Sequence, residues 1–225
     1  QVALNGTPEA QLEPGSGNPW MLPFAHYWPI LWATGAVLVF TRLLVHYCVS
    51  NSASRRFEKL TDPALLNMSN NLARQLHLPS PALCLCSESI TPFVVGLWQP
   101  AIILPADARN WSDQRLTFVL LHEMAHIKRR DLLTQFLAGL VVAVNWFNPL
   151  SWLLFSQMMR LRELACDDFV LLQDQQPVSY AETLLEVAAG YRSMNPAHGI
   201  AMAGKLDLAR RIHCALDGSR VRVPF

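Results

Sequence analysis

The segment VLLHEMAHIKRRD contains the residues with the clearest chemical role, because His122, Glu123 and His126 form an H-E-x-x-H motif. The apolar residues around the motif predict a helix, and four residues make about one helical turn. Both imidazoles then project from one face and can bind one Zn²⁺, while Glu123 can reach a metal-bound water. The motif predicts His122 and His126 as zinc ligands and Glu123 as the general base. Two surface histidines on a core helix are the alternative interpretation.

A catalytic zinc site requires a third protein ligand, and the segment MRLRELACDDFVL offers one. We predict Glu163 as this ligand, with Asp167 one helical turn further along as its partner. The second carboxylate of such a pair accepts a hydrogen bond from the distal N–H of a zinc-bound histidine, which orients the ring. The alternative for Asp167 and Asp168 is a solvated surface. Cys166, beside the pair, is predicted to be a small packed residue.

A developing oxyanion needs a hydrogen-bond donor besides the metal. Four tyrosines and histidines that follow Glu163 in the chain are candidates for this donor, and the sequence does not distinguish among them. Such residues more often pack in a core or lie on a surface. These four are Tyr180, Tyr191, His198 and His213. Asp131, in the run KRRD after the motif, is predicted to be structural and paired with nearby arginines.

The composition predicts a membrane protein, since 52% of the 225 residues are hydrophobic and only 16% are charged, against about 25% charged in an ordinary soluble domain. Residues 29–49 contain Arg42 as their only formal charge and are long enough for a transmembrane helix. Residues 1–28 contain no Lys or Arg, whereas basic residues follow the span. The positive-inside rule makes 1–28 an extracytoplasmic loop and puts 50–225 in the cytoplasm. A buried core helix of a soluble protein is the alternative.

Residues 132–159 carry no charge and predict a membrane-associated helical hairpin. A single crossing of the membrane would separate Glu163 from His126, so the chain must return, and the run NWFNP at 145–149 is a suitable break. Each arm is then roughly 21 Å of helix, short of the roughly 30 Å hydrocarbon core. The hairpin is expected to dip into the membrane or to pack against 29–49.

The elements that must position the motif residues are mainly helical, with a small β-sheet (α+β). An amphipathic helix is predicted over 60–78, two or three short strands within 82–105, and a long helix capped by Ser112 or Asp113. Residues 101–104 follow a proline, which predicts either an edge strand or a strand that begins there, and we consider the edge strand as a candidate for substrate binding. Such a strand could bind an extended peptide through main-chain hydrogen bonds, or it could be a packed strand without that role.

Four runs in order, TPFVVGLWQPAIILP, LLHEMAHIKRRD, WFNPLSW and RELACDDFVL, carry a family resemblance. Over about residues 60–215 the chain resembles the BlaR/MecR family of bacterial membrane metallopeptidases, and more distantly the HtpX and CAAX-prenyl membrane peptidases. The resemblance implies a gluzincin-like zinc domain anchored at the bacterial inner membrane, with His122, His126 and Glu163 as ligands and Glu123 as the catalytic base. In well-known members an extracellular sensor binds β-lactams, and the peptidase inactivates a transcriptional repressor, often with self-cleavage. This chain has no S-x-x-K and no K-T-G motif, so no β-lactam-binding sensor is expected in it.

We therefore expect a zinc-dependent endopeptidase of a signalling relay, with a cytoplasmic protein substrate, membrane lipid as a second partner, and self-cleavage within 195–204. Near balance between 18 basic and 17 acidic residues argues against direct nucleic-acid binding. Because the chain begins with Gln1, we expect it to be part of a longer protein. The alternatives are a zinc-containing signal-transducing binding domain without turnover and a soluble helical structural domain. The last segment carries four arginines that fit a surface near anionic lipid, namely Arg210, Arg211, Arg220 and Arg222.

Overall fold

Helices form most of the chain and surround a small mixed sheet, as the sequence predicts. The computed structural model describes residues 22–87, 90–194 and 202–222. In chain order the elements are α1 (Leu22–Arg56), β1 (Glu58–Lys59), α2 (Pro63–Gln75), β2 (Ala82–Cys86), β3 (Phe93–Val95), β4 (Ala101–Pro105), a 3-10 helix (Ala106–Asn110), α3 (Asp113–Lys128), α4 (Asp131–Val144), α5 (Pro149–Gln173), α6 (Pro177–Met194) and α7 (Met202–Leu216).

Local sequence signals set where the helices begin. Asp62 caps α2 by accepting a hydrogen bond from the Ala64 N–H, and Pro63 occupies the first turn, where a missing N–H costs nothing. Ser112 caps α3 in the same way, through the Arg115 N–H. Helix α2 is shorter than the predicted 60–78 at both ends.

The sheet has the strand order β1-β2-β4-β3, with β2 and β4 parallel and the outer pairs antiparallel. Of the two alternatives for 101–104, the strand that begins directly after Pro100 is confirmed and the edge strand is wrong. Ile102 pairs with Leu83 on one side and with Val94 on the other, and every residue of β4 is buried. Pro100 precedes the strand and therefore removes no hydrogen bond from the ladder. The edge of the sheet on this side is β3.

Helix α1 contains the one stretch among the described residues, Tyr27–Ser52, that is long and apolar enough to cross a membrane. The predicted span 29–49 lies inside it, and the helix begins before Pro29 rather than at it. Large apolar side chains remain exposed along α1, including Val37 and Leu38. A helix with this exposed apolar surface is typical of contact with lipid or with other apolar helices.

The uncharged segment folds as two helices with a break at 145–148, the position that the sequence predicts. Asn148 caps α5 through the Leu150 N–H. Helix α4 packs against α1, where Trp32 Nε1 donates to the Val144 carbonyl at 3.0 Å and Trp146 Nε1 donates to the Trp32 carbonyl at 3.0 Å. These two hydrogen bonds join the tip of the hairpin to the first half of α1.

Two glycines allow α1 and the hairpin to approach closely. A Cβ atom at Gly35 would overlap the indole ring of Trp146, and a Cβ atom at Gly139 would lie 2.8 Å from a methyl carbon of Leu43. The Trp146 indole is a rigid ring that is itself hydrogen-bonded to α1, so it cannot move aside easily. Small residues of this kind permit close packing of apolar helices.

We predict that Gly35→Ala lowers the thermal unfolding midpoint of the protein in detergent micelles. Overpacking of this kind costs about 1–3 kcal/mol, which outweighs the roughly 1 kcal/mol that alanine contributes as the better helix former. Gly190→Ala in α6 is the matched control, because a Cβ atom there meets nothing within 4 Å. The control should keep or raise the midpoint, and equal shifts in both variants would contradict the proposed packing.

Candidate metal centre

Helix α3 presents the H-E-x-x-H residues to a cavity while its other face is buried in the main core. Leu120 and Met124 are fully buried in that core and fix the rotation of the helix. His122 and Glu123 are only 8% and 5% exposed, and the His122 and His126 rings lie 4.9 Å apart between centroids. The rotation of the helix therefore places both imidazoles at the same cavity wall.

Helix α5 packs against α3 and brings Glu163 to the two histidines. One carboxylate oxygen of Glu163 is 3.5 Å from His122 Nε2, and the other is 3.8 Å from His126 Nε2. A tetrahedral metal ion with bonds of about 2.1 Å separates its ligand atoms by about 3.4 Å. The three side chains therefore have the donor types and the spacing that zinc requires, and the structure brings together all three residues that the sequence predicts as ligands.

Asp167 lies behind His122, on the side away from Glu163. Its Oδ1 atom is 3.2 Å from His122 Nδ1 and accepts a 2.6 Å hydrogen bond from the Tyr180 hydroxyl, which is itself 3.2 Å from the same ring nitrogen. This is the placement that the E-x-x-x-D spacing predicts for Asp167. With Nδ1 directed at Asp167, the Nε2 atom of His122 faces the proposed metal position and can bind a metal once it has lost its proton.

Asp131 has the corresponding position behind His126, which the sequence analysis missed. Its Oδ2 atom is 2.7 Å from His126 Nδ1, and its Oδ1 atom accepts from Arg129 Nε at 3.2 Å. The predicted arginine pairing is therefore only part of its role. The backbone of Arg130 adopts a left-handed conformation (φ +55°), and the chain reverses so that Asp131 begins α4 directly against His126. The sequence shows no signal for this turn, since glycine or asparagine is the usual residue there.

Cys166 is buried, as the sequence predicts, and its Sγ atom lies 3.3 Å from His126 Nδ1 and 3.6 Å from Asp131. His126, Asp131 and Cys166 thus form a second group of close donors. Burial and the Asp131 charge raise the pKa of the thiol well above its usual range. A thiol that keeps its proton is a poor metal ligand, so Cys166 is best described as packing beside the His126–Asp131 pair.

The site also contains Arg211 of α7, a residue for which the sequence predicts only a surface role. Its Nε and Nη2 atoms donate to the two oxygens of Asp167 at 2.8 and 2.7 Å, and its Nη1 atom is 3.5 Å from Glu163. Arg220 similarly binds Asp168 at 2.8 Å. Arg211 and Arg220 therefore bind carboxylates of α5, and Asp168 is an ion-pair partner rather than a solvated residue.

Of the predicted oxyanion donors, Tyr180 adjoins the cavity, but its hydroxyl is committed to Asp167. His213 is exposed on α7 and is absent from the cavity lining. The Tyr191 side chain and His198 lie outside the described residues.

The pKa values of His122 and Glu123 are raised in this buried site, whereas that of Glu163 is lowered. Burial lowers the pKa of His122, but hydrogen bonds to Asp167 and Glu163 outweigh this effect and raise it to about 9. Burial opposes ionisation of Glu163, yet the hydrogen bond to His122 and the charge of Arg211 hold its pKa well below the usual range. Burial raises the pKa of Glu123. In the metal-free site His122 is thus protonated at neutral pH, and Glu123 is the carboxylate best able to accept a proton.

The cavity in front of the histidines has a volume of about 560 Å³. Strand β3 and Gly96 form one wall, and the C-terminal half of α1 contributes Leu43 and Tyr47 to another. Phe136 of α4 lies beside them. The proposed metal position therefore opens on a space that is partly apolar and large enough for peptide side chains.

Comparisons with known proteins indicate the family of the chain. The sequence profile of the family described as BlaR1 peptidase M56 matches residues 21–215. The regulatory protein BlaR1 of Bacillus licheniformis is 28% identical over 159 residues, which are 69% of this chain and 26% of that protein. The methicillin resistance mecR1 protein of Staphylococcus aureus is 31% identical over 98 residues, which are 42% of this chain and 17% of that protein. The chain thus matches about a quarter or less of the length of these curated relatives.

We predict that the chain binds one zinc ion and releases about one proton on doing so at pH 7.5, because a protonated His122 must become neutral to bind metal. Zinc affinity should rise about tenfold per pH unit until the pH reaches about 9, the pKa of His122 in the metal-free site. Calorimetric titration in buffers of different ionisation enthalpy measures the proton release.

His122→Ala should abolish stoichiometric zinc binding, whereas His213→Ala, which removes an exposed histidine, should leave it unchanged. Affinity that does not vary with pH would refute the proposed protonation of His122. Equal zinc binding by both variants would refute the assigned ligand.

Proposed function

The chain belongs to the BlaR1 peptidase M56 family, a family of metallopeptidases, and on that premise we propose that it is a membrane-embedded, zinc-dependent endopeptidase that cleaves a cytoplasmic protein in transmembrane signalling. The observation that carries the proposal is the meeting of His122, His126 and Glu163 beside Glu123 at one open cavity. A purely structural zinc site has four protein ligands and is closed. Three ligands with a carboxylate beside them are typical of a hydrolytic site.

In the proposed mechanism His122, His126 and Glu163 hold the zinc ion. The ion supplies Lewis-acid polarisation of the scissile carbonyl and makes a water more acidic. Glu123 accepts the proton of the attacking water at a carboxylate oxygen and then gives it to the leaving amine. Its burial supports this role, because a raised pKa brings the carboxylate closer to the pH at which it must both accept and return a proton.

Asp167 and Asp131 orient the ligands in this proposal. Each accepts a hydrogen bond from the Nδ1 atom of one histidine and so leaves Nε2 for the metal. Both carboxylates are buried, at 2% and 3% exposure, so water does not compete for these hydrogen bonds.

Strand β3 is the element best placed to bind the substrate backbone. It is the edge of the sheet, and all three of its residues line the cavity in front of the histidines. An extended peptide can add to such an edge through main-chain hydrogen bonds. The peptide-binding role predicted for 101–104 is therefore proposed for Phe93–Val95 instead.

The membrane location and the substrate are further parts of the proposal. The apolar Tyr27–Ser52 stretch supports a transmembrane helix, and the basic residues after it support a catalytic domain on the cytoplasmic side of the inner membrane. The relatives' names, regulatory protein BlaR1 and methicillin resistance mecR1 protein, support a regulatory substrate, for which we propose a transcriptional repressor. Self-cleavage is proposed within 195–204, of which 195–201 lie outside the described residues.

We predict that Glu123→Gln abolishes proteolysis but keeps one zinc ion per chain, because the substitution removes a general base and no ligand. Loss of a general base costs about 10²–10⁴-fold in rate. The rate is measured on the purified protein in lipid nanodiscs, from cleavage of β-casein, of a repressor and of the chain itself, with and without a chelator.

Glu163→Gln is the matched control, since it changes the same functional group and should lose zinc as well as activity. Retained cleavage by zinc-loaded Glu123→Gln would overturn the assignment of the base. Zinc binding without cleavage of any substrate by the wild-type protein would favour the alternative of a signal-transducing domain without turnover.

We also predict that the chain stays in the bacterial membrane pellet after extraction with alkaline carbonate and is released only by detergent. Outside the membrane the exposed apolar surface of α1 would face water, which costs a free energy of about 25 cal/mol for each Å² of apolar surface. Recovery of the folded protein in the carbonate supernatant would instead favour a soluble helical domain.

A further inference from the structure

Arg211 contacts the metal centre from α7, a helix that contributes none of the three proposed ligands. We propose that Arg211 is a positioning residue: it fixes the Asp167 carboxylate and, through it, the ring of His122. This inference rests on the proposed zinc function and extends it to a residue outside the H-E-x-x-H and E-x-x-x-D motifs.

The contact between Arg211 and Asp167 is bidentate. The Nε atom donates to Oδ2 at 2.8 Å and the Nη2 atom donates to Oδ1 at 2.7 Å. A planar guanidinium that binds both oxygens restricts rotation of the carboxylate, which a single hydrogen bond does not. The Asp167 side chain is only 3% exposed, so water cannot replace this partner easily.

The remaining contacts of Asp167 pass the restriction on to His122. Oδ1 also accepts from the Tyr180 hydroxyl at 2.6 Å and lies 3.2 Å from His122 Nδ1. The carboxylate is therefore held from two other directions while it faces the imidazole. Rotation of Asp167 would move the hydrogen bond that keeps His122 Nε2 directed toward Glu163.

Arg211 also has an electrostatic effect on the proposed ligand set. Its Nη1 atom lies 3.5 Å from Glu163 and its Nη2 atom lies 3.5 Å from His122 Nε2, and Glu163 and Glu123 line the same cavity. A cation that touches both Glu163 and Asp167 reduces the repulsion between these two carboxylates. Loss of Arg211 would therefore let Glu163 and Asp167 separate before zinc binds.

The contact brings four helices together at one carboxylate. Asp167 comes from α5, His122 from α3, Tyr180 from α6 and Arg211 from α7. The next residue of α5, Asp168, binds Arg220 at 2.8 Å and so holds the segment that follows α7. The chain is thus bound to α5 both before the C-terminal end of α7, through Arg211, and after it, through Arg220.

The test compares R211K, R211Q and the control R210Q, since Arg210 is the exposed neighbour on the same helix. Full-length protein in nanodiscs is titrated with zinc against a chelator, and the visible absorption spectrum of the Co²⁺-loaded protein reports ligand geometry. We expect both Arg211 variants to bind zinc about 10–100-fold more weakly and to change the cobalt spectrum. R210Q should match the wild-type protein in both measurements.

Circular dichroism establishes that each variant is folded. If R211Q does not fold because Asp167 is left buried without a partner, D167N/R211Q replaces the charged pair with a neutral one and should still bind zinc weakly. R211K keeps the charge but not the bidentate geometry, so wild-type zinc affinity and an unchanged cobalt spectrum in folded R211K would overturn the inference. Failure of the wild-type chain to bind zinc or cobalt would overturn the proposed function itself.

Discussion

Each imidazole of the candidate metal centre has a buried carboxylate behind it, and the packing of the helices around the site has to satisfy both carboxylates. A buried carboxylate is costly unless it is paired and hydrogen-bonded. Asp167 is paired with Arg211 and Tyr180, which requires α6 and α7 to pack against α5 at this point. Asp131 is paired with Arg129, which requires a sharp turn between α3 and α4. Asp167 thus draws its partners from α6 and α7, two helices that carry no proposed ligand.

This requirement also explains which parts of the site could be predicted from the sequence. His122, Glu123 and His126 lie within about one helical turn, and helical geometry alone puts them at one cavity wall. Glu163 and Asp167 are likewise one turn apart. Arg211 is brought to the site only by tertiary packing, in a segment whose basic residues were interpreted as a surface. No periodicity or spacing within the sequence distinguishes it from Arg210 beside it.

The fold could be predicted from the sequence to a similar extent, wherever the signals were local. Helix caps and the uncharged run at 132–159 indicated the main helices and the break near Asn148, because these signals are local. The order of strands in a sheet is not local, and for that reason Pro100 alone did not decide whether β4 lies at the edge or only begins after the proline. Its fully apolar sequence AIILP, without alternation, is typical of a strand buried on both faces. That pattern was available in the sequence and favoured the central position that β4 has.

Helix α4 connects the metal centre directly to the membrane-type helix. Its first residue, Asp131, touches His126, and its last residue, Val144, accepts the hydrogen bond from Trp32 of α1. Fourteen residues of α-helix form a rod roughly 21 Å long, and packed helices move as rigid bodies. Helix α4 therefore joins Trp32 of α1 to the carboxylate beside His126 without a break in the helix. The tip of the hairpin and the partner of a proposed metal ligand are the two ends of one rigid element.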